Sequence, residues 1–383
     1  VQDGDGIFVH HTQIKEKTNI HIVHSESSLG WGGQEHRTFT ELAGFRRRGF
    51  RVSLVAPCSS VLYQRASAEG IEVRACSFSR ASTIADVLML SAWLSTQDVR
   101  VLNTHSSRDG WVMGLAGRMA RVPLILRTRH IDVDYPSPRI SRIAFRLLAD
   151  HVLTTSQRIT EHLGRIFELS GSRISTLATG IDLERFTSEG AVSDCIKSGT
   201  KPVVGMVSVL RSWKGHDDFL RAAAVLKEQR FDASFVIVGG GQSPARIESQ
   251  VESLGLGDSV RLTGHREDVP EVLRALNVLV IPSTRHEGIP QIGLQALACK
   301  TPVVGSDVGG IPEVVRHGQT GRIFQAQNAA HLASMIRETI EDAGRTQEMV
   351  QNGRRLVEEK YGTEAMLDQL ELLYARYIAD KNS

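Results

Sequence analysis

The 383-residue sequence predicts two tandem α/β domains, each a doubly wound parallel sheet, facing one another across a cleft. Three observations carry this. Apolar runs of strand length alternate with amphipathic helical stretches through both halves, the pattern of a parallel sheet covered on both faces. Glycine-rich loops follow strands in each half, at Gly30-Trp-Gly-Gly33 and Gly239-Gly-Gly241. Residues 187–201, rich in Ser, Gly and Lys, interrupt the alternation, and the chain is too long for one typical core. The expected organisation is a poorly ordered leader at 1–17, a first domain at 18–190, a linker at 191–201 and a second domain at 202–362. A last helix at 363–383 is expected to cross back to the first domain.

In the first half, Asn19 to His24 alternates into a strand. Gly30-Trp-Gly-Gly-Gln-Glu35 then opens a helix to about Gly49. Glycines after a strand let backbone approach a ligand closely. The loop lacks the third glycine of a dinucleotide fingerprint and the Gly-Lys-Ser/Thr of a Walker loop. Further strands near 51–56, 71–75, 99–104, 123–128 and 151–155 alternate with helices near 61–69, 83–96, 108–119, 138–148 and 156–167. Two strand ends are polar, Asn103-Thr-His105-Ser-Ser107 and Arg127-Thr-Arg129-His130-Ile-Asp132. Consecutive strands deliver these histidines to the C-terminal edge of the sheet, where open α/β sheets bind ligands. Thr179-Gly-Ile-Asp182 and Phe186 close the half.

The second half restarts with a strand from Val203 to Ser208, then Val209-Leu-Arg-Ser-Trp-Lys-Gly215 and a helix to about Lys227. Ser234 to Val238 runs into the second glycine loop, with a helix from about Pro244 to Leu254. Val260 to Leu262 is a short strand, and His265-Arg266-Glu-Asp-Val-Pro270 opens another helix. The most informative stretch follows. A strand at Asn277 to Ile281 leads into Ser283-Thr-Arg-His-Glu287-Gly288-Ile289-Pro290, with Pro290 in the first turn of a helix to about Cys299. A strand at Thr301 to Gly305 leads to Gly309-Gly310 and a helix opened by Pro312 and Glu313. Free N–H groups and the positive dipole end near Pro290 suit an anion such as phosphate. Arg211 and Lys214 would project toward that anion. Gly318 to Gly321 is a turn, and helices near 329–342, 344–360 and 363–380 finish the chain.

Composition narrows the function classes. The first 190 residues carry 23 Lys/Arg against 19 Asp/Glu, and the remainder 22 against 24, so a net charge of +2 hides an arginine-rich first half. That half suits an acidic acceptor or an anionic membrane surface, or simply solvated helix faces. Four dispersed cysteines without a C-x-x-C argue against a zinc site or disulfide framework and suit a reducing cytoplasm. No apolar run approaches the ~18–20 residues that span a bilayer. Neither half has the fingerprint of an NAD-dependent dehydrogenase, and no basic motif with interleaved aromatics suggests nucleic acid.

At these residues the sequence resembles the family 4 retaining glycosyltransferases, a GT-B-fold family using nucleotide-sugar donors, over about residues 19 to 380. The resemblance is most specific at Glu287-Gly288-Ile289-Pro290 through Ala298, Thr301-Pro-Val-Val304, Gly309-Gly-Ile-Pro-Glu313 and Gly321. Lys214-Gly215, Gly239 to Gly241, Arg246 and Ser283 follow the family's order, as do Gly32-Gly33-x-Glu35, His130 and Gly180-x-Asp182 with Phe186. It implies that the second half holds a nucleotide-diphosphate-sugar and the first half the acceptor. Catalytic roles fall to Glu287, which binds donor-sugar hydroxyls, Lys214, which meets the leaving diphosphate, and His130 from across the cleft. Donor-binding positions are Gly32, Gly33, Arg211, Gly241, Arg246, Arg266, Gly288, Ile289, Pro290, Gln291 and Gln295. Acceptor-side positions are Glu35, His105 and Arg129. No cofactor or metal is called for.

Two positions depart from the family pattern. The second Glu of the motif, eight residues after Glu287, is Gln295, which can accept a ribose O–H but carries no charge; charge-assisted bonds are about twice as strong. The Gly-Arg ahead of Lys-Gly reads Ser208-Val209, so Arg211 is expected to take over the phosphate. The function expected is transfer to a glycan or lipid-linked acceptor in bacterial surface-polysaccharide or lipopolysaccharide assembly, in the cytoplasm or peripheral at the inner membrane face. Rival readings are a nucleotide-sugar-binding protein with little turnover and a GT-B epimerase or phosphorylase.

Overall fold

The structure, a computed structural model, describes residues 20–380 except 134, 136, 197, 198, 242 and 243; the leader at 1–17 lies outside them. In the first half the strands are β1 (His21–Ser25), β2 (Arg51–Ala56), β3 (Glu72–Ala75), β4 (Val99–Thr104), β5 (Leu124–Arg129), β6 (His151–Thr154) and β7 (Ile174–Thr176). Helices α1 (Gly33–Arg47), α2 (Val61–Ala68), α3 (Thr83–Thr96), α4 (Ser107–Met119), α5 (Pro138–Arg146) and α6 (Gln157–Phe167) alternate with them. The sheet order is β3-β2-β1-β4-β5-β6-β7, with parallel pairings.

The second half repeats the plan. Its strands β8 (Val203–Val207), β9 (Ser234–Val238), β10 (Val260–Gly264), β11 (Val278–Ile281), β12 (Val303–Ser306) and β13 (Arg322–Phe324) lie in the order β10-β9-β8-β11-β12-β13. Its helices are α7 (His216–Glu228), α8 (Pro244–Ser253), α9 (Val269–Ala275), α10 (Gln291–Ala298), α11 (Ile311–Val314), α12 (Ala329–Glu341) and α13 (Ala343–Lys360). Both sheets are doubly wound, as expected. The strand order reverses at β1/β4 and again at β8/β11, and such switch points open the crevices where ligands bind. Two short edge strands, β7 and β13, were not expected, because three residues carry too little alternation to stand out.

Strands buried on both faces explain the apolar runs. β11, Val-Leu-Val-Ile, is fully buried between helices on either side. A last helix, α14 (Thr363–Asp380), returns to the first domain and packs Met366, Leu367, Leu370 and Tyr374 with Leu42 and Phe45 of α1. Burying such side chains contributes about 1.5–3 kcal/mol each. The two crossings between domains run side by side: Ile181 bridges Gly362, with Ile181 N donating to Tyr361 O (2.7 Å) and Thr363 N to Ile181 O (3.0 Å).

The arginine excess, expected to serve an acidic acceptor, a membrane surface or simply solvated helix faces, is used in part within the chain. Arg48 bonds Glu364 (2.6 Å), Asp368 (2.8 Å) and Glu371 (3.2 Å) of α14, and Arg46 donates to the Glu69 carbonyl. Arg118 pairs with Asp150, while Arg142 and Arg146 share Glu168. Among the described residues, no helix is long and apolar enough to cross a membrane.

Candidate functional site

At the β8/β11 switch point, Ser208 follows β8, and Ser212–Lys214 form one 3-10 turn before α7. Gly215 makes this possible. Its φ of +80° is left-handed, and a Cβ there would collide with the Pro282 carbonyl oxygen that follows β11. The turn therefore lies directly on the β11 loop, with Thr284 N donating to Trp213 O at 2.8 Å. This brings the Lys214 ammonium onto Glu287 Oε1, which also accepts from Ser283 Oγ at 2.6 Å. Glu287 is buried and Lys214 partly exposed, so a cation reaches the cleft while its carboxylate partner sits beneath.

The Glu287–Pro290 loop is fixed from behind. Gly309, at φ +59°, lies where a Cβ would strike the Glu287 carbonyl, and Gly310 N donates to that oxygen at 3.3 Å. Pro290 is the extended cap residue of α10, not part of its first turn as expected, and the helix starts at Gln291. Of the helix N–H groups, those of Gln291 and Ile292 are thus left for an anion, because Gly293 N and Leu294 N already donate to Pro290 O at 3.0 and 3.4 Å. Gln295 lies one turn on and is half-buried. Arg211 is exposed and stacks over the Trp213 ring at 5.2 Å, beside the Lys214 turn. Arg246 and Arg266 are held by carboxylates, Asp217 (2.8 Å) and Asp268 (2.6 and 2.7 Å) respectively. The Gly241 backbone bridges Leu210.

The first domain meets this loop closely. Gly288 packs against Thr155 and the His130 backbone, where a Cβ would stand 2.7 Å from the His130 carbonyl oxygen. Buried Ile289 anchors the loop in the second-domain core. Gln291 Nε2 donates to Gly33 O at 2.6 Å, so the Gly32–Gly33 loop touches the start of α10. His286 shares a hydrogen bond of 2.8 Å with the Asp132 carbonyl. Glu313 of α11 accepts from Gln157 N (2.9 Å) and Arg158 N (3.1 Å), capping α6 of the other domain. In sequence, Glu313 reads only as the opening of its own helix.

On the acceptor side the structure corrects two expectations. His105 is fully buried between His24 and His130, so it touches no ligand surface. Glu35 is buried and caps its own helix, its Oε2 accepting from Gly32 N at 2.8 Å. Arg129 is buried and, among the described residues, has no hydrogen-bond or ion-pair partner for its guanidinium; its Nε is shut away from solvent. Arg127 lies over the Phe145 ring at 4.8 Å, and burial, with Arg129 nearby, pushes its guanidinium down to about 10.

Glu26 is a residue the sequence reading missed. It follows β1 at the first switch point and is wholly buried, accepting from Ser28 N at 2.8 Å and from the Gln34 amide. Burial, then the neighbouring Asp109 and Glu35 carboxylates, push it up to about 8. An acid directly after a first strand was the available signal.

A profile of glycosyl transferases group 1 matches residues 194–356, and one of glycosyltransferase family 4 matches residues 31–185. A D-inositol 3-phosphate glycosyltransferase from Mycobacterium sp. (strain KMS) is 29% identical over 265 residues, covering 66% of this chain and 58% of that protein. The match thus spans under two thirds of that relative. A 2-deoxystreptamine N-acetyl-D-glucosaminyltransferase from Streptomyces fradiae is 27% identical, covering 65% of each chain. A glycosyltransferase structure from Rickettsia africae superposes with a TM-score of 0.85 at 18% identity, covering 95% of this chain and 99% of its own. Anabaena HepE, solved with UDP-glucose, gives 0.78 at 20% identity, covering 94% and 99%.

Proposed function

The chain belongs to the family 4 glycosyltransferases and has their GT-B fold, and from that premise we propose that it transfers a sugar from a nucleotide-diphosphate-sugar to an acceptor hydroxyl with net retention. The observation carrying this reading is the Lys214–Glu287–Ser283 cluster at the β8/β11 switch point, with the next residue, Gly288, packed against the His130 backbone of the first domain. In the reaction the bond from the anomeric carbon to the diphosphate breaks as the acceptor oxygen bonds on the same face. The acceptor proton passes to the departing phosphate oxygen. The barrier is charge separation, and preplaced cations and N–H donors lower it most. Lys214 and the N–H groups of Gln291 and Ile292 would take the leaving charge, with Arg211 assisting, so the chemistry would need no metal ion. Glu287 would hold sugar hydroxyls, and Gln295 the ribose.

The unpartnered Arg129 supports an acceptor that carries an anionic group. The phosphate in the mycobacterial relative's named substrate points the same way. Exposed Ile140 and Ile143 on α5, Leu147 just after it, and Met119 on α4 support a lipid-linked acceptor met at the inner membrane face, as in surface-polysaccharide assembly. UDP is the first nucleotide to try, because HepE was solved with it. Saturation at about 100 times Kd raises stability by about 2.7 kcal/mol. The test is thermal shift with nucleotides and UDP-sugars, then NMR of the product's anomeric configuration with and without EDTA. No shift with any nucleotide-sugar would overturn the donor site; an inverted product would overturn retention. Uncharged Gln295 favours one rival, a binder with little turnover, and product formation excludes it.

A further inference from the structure

β1, β4 and β5 deliver three imidazoles to one buried stack beneath the cleft. His24 Nδ1 lies 2.8 Å from His105 Nε2, and His105 Nδ1 lies 3.0 Å from His130 Nε2. The rings stack with centroids 5.1 and 5.3 Å apart. Behind His24, Glu41 Oε2 stands 3.7 Å from Nδ1, and Glu41 is held by Arg37 at 2.6 Å. A metal ion is the poorer reading of His24, Glu41 and His105, although their ligand atoms lie within 4.8 Å of one another. The two imidazole nitrogens already bond each other, and the Arg37 cation occupies Glu41.

All three rings are neutral. Burial, then Arg37, pushes His24 down to about 3, and burial holds His105 and His130 well below the usual histidine range. A neutral imidazole has one N–H. Two proton arrangements therefore satisfy both links. In the first, His24 Nδ1 donates to His105 Nε2 and His105 Nδ1 donates to His130 Nε2, leaving the third proton on His130 Nδ1. The second reverses every bond and leaves a proton on His24 Nε2. That nitrogen is buried with no partner, so the second arrangement strands a donor in the dry interior, whereas the first leaves only a lone pair there. Glu41 adds an independent bias, because its carboxylate faces His24 Nδ1 and favours a proton on it.

We propose that His105, His24 and Glu41 are positioning residues that hold His130 as a hydrogen-bond donor, with its proton fixed on Nδ1 toward the cleft. His130 Nδ1 is the ring nitrogen left over by the stack, and it is not among the buried unpaired atoms. A donor there binds an oxygen lone pair of the sugar or leaving group. It cannot accept the acceptor's proton, since Nε2 is occupied by His105. This rests on the glycosyl-transfer reading for what His130 touches, but the tautomer itself does not.

Side-chain ¹⁵N NMR of the labelled full chain at pH 7 reads the tautomers directly. The expected result is Nδ1–H at all three histidines; Nε2–H at His130 overturns the proposal, whether or not the protein transfers sugar. His105→Phe then removes the link. Its expected effect is a mixed His130 tautomer and a 10- to 100-fold fall in kcat, with donor KM and nucleotide binding unchanged. His105→Gln, which can donate to Nε2, should recover part of kcat. Unchanged kcat in a folded His105→Phe protein that binds nucleotide overturns the positioning role. Loss of nucleotide binding by the wild type would instead count against the glycosyl-transfer reading.

Discussion

Replacing Lys214 by Met separates what this lysine does for the fold from what it does for the reaction. Glu287 is 5% exposed, and among the described residues its carboxylate accepts from Lys214 and Ser283 Oγ alone. A close ion pair is worth about 4 kcal/mol at an effective dielectric near 20. Stripping one partner from a buried pair costs about 3–5 kcal/mol. The Lys214 side chain is 25% exposed, which lowers that cost to about 2–3 kcal/mol by screening. Glu287→Gln in the same chain removes the charge that needed the lysine. We therefore predict that the double variant regains about 1–2 kcal/mol of the stability lost, read from urea unfolding. Activity should behave differently. Without a cation for the leaving diphosphate, kcat/KM should fall about 10²–10³-fold, about 2.7–4 kcal/mol, and stay low in the double variant. If turnover returns together with stability, Lys214 acts only by holding Glu287, and its role in the chemistry is refuted.

Glu313→Ala removes two charge-assisted bonds to α6 and should cost about 1–2 kcal/mol in unfolding free energy while loosening the domain contact; a change under about 0.3 kcal/mol would show the cap to be idle. Leu367→Ala opens a cavity between α14 and α1 and should cost about 2–5 kcal/mol by thermal or urea unfolding. Stability should fall as pH drops from 7 to 5. His24 has a folded value near 3, below the unfolded 6.5, so its contribution is complete above about 6.5 and is lost as pH falls; at pH 5 that loss is about 2 kcal/mol. His105 and His130 act in the same direction, whereas Glu26, raised to about 8, contributes stability at low pH that is lost as pH rises through 8. Because Glu26 opposes the histidines over this range, the test is the difference between proteins: His24→Gln should lessen the fall, and a variant profile parallel to the wild type would contradict the neutral stack. Arg129→Gln should raise the KM for an anionic acceptor at least tenfold with donor KM unchanged, checked by steady-state kinetics.

The fold was legible because its strongest signals are local. β8 and β11 are nearly continuous apolar runs, and glycines stand where loops meet. What escaped depends on pairs far apart in sequence. Lys214 and Glu287 are 73 residues apart, and no periodicity links them. His105 reads as a loop histidine at a strand end, and only the ring of His24, 81 residues away, shows that it faces inward. Glu26 looks like a solvated acid until Asp109 and Glu35 are seen beside it. The Arg46–Arg48 run looks like a charged patch because its Glu364, Asp368 and Glu371 partners arrive at the other end of the chain.

The paired crossings at Ile181 and Gly362 bear on how fast such a molecule can work. Two connections bonded side by side act like adjacent pins of one door, so the domains are expected to swing about a single axis and not to twist or slide apart. Opening about that axis would break the Gln291–Gly33, His286–Asp132 and Glu313–α6 contacts. A gate of that kind makes release of the spent nucleotide, not bond exchange, the natural clock of the cycle. Solvent viscosity should slow steady-state turnover but leave the first turnover untouched.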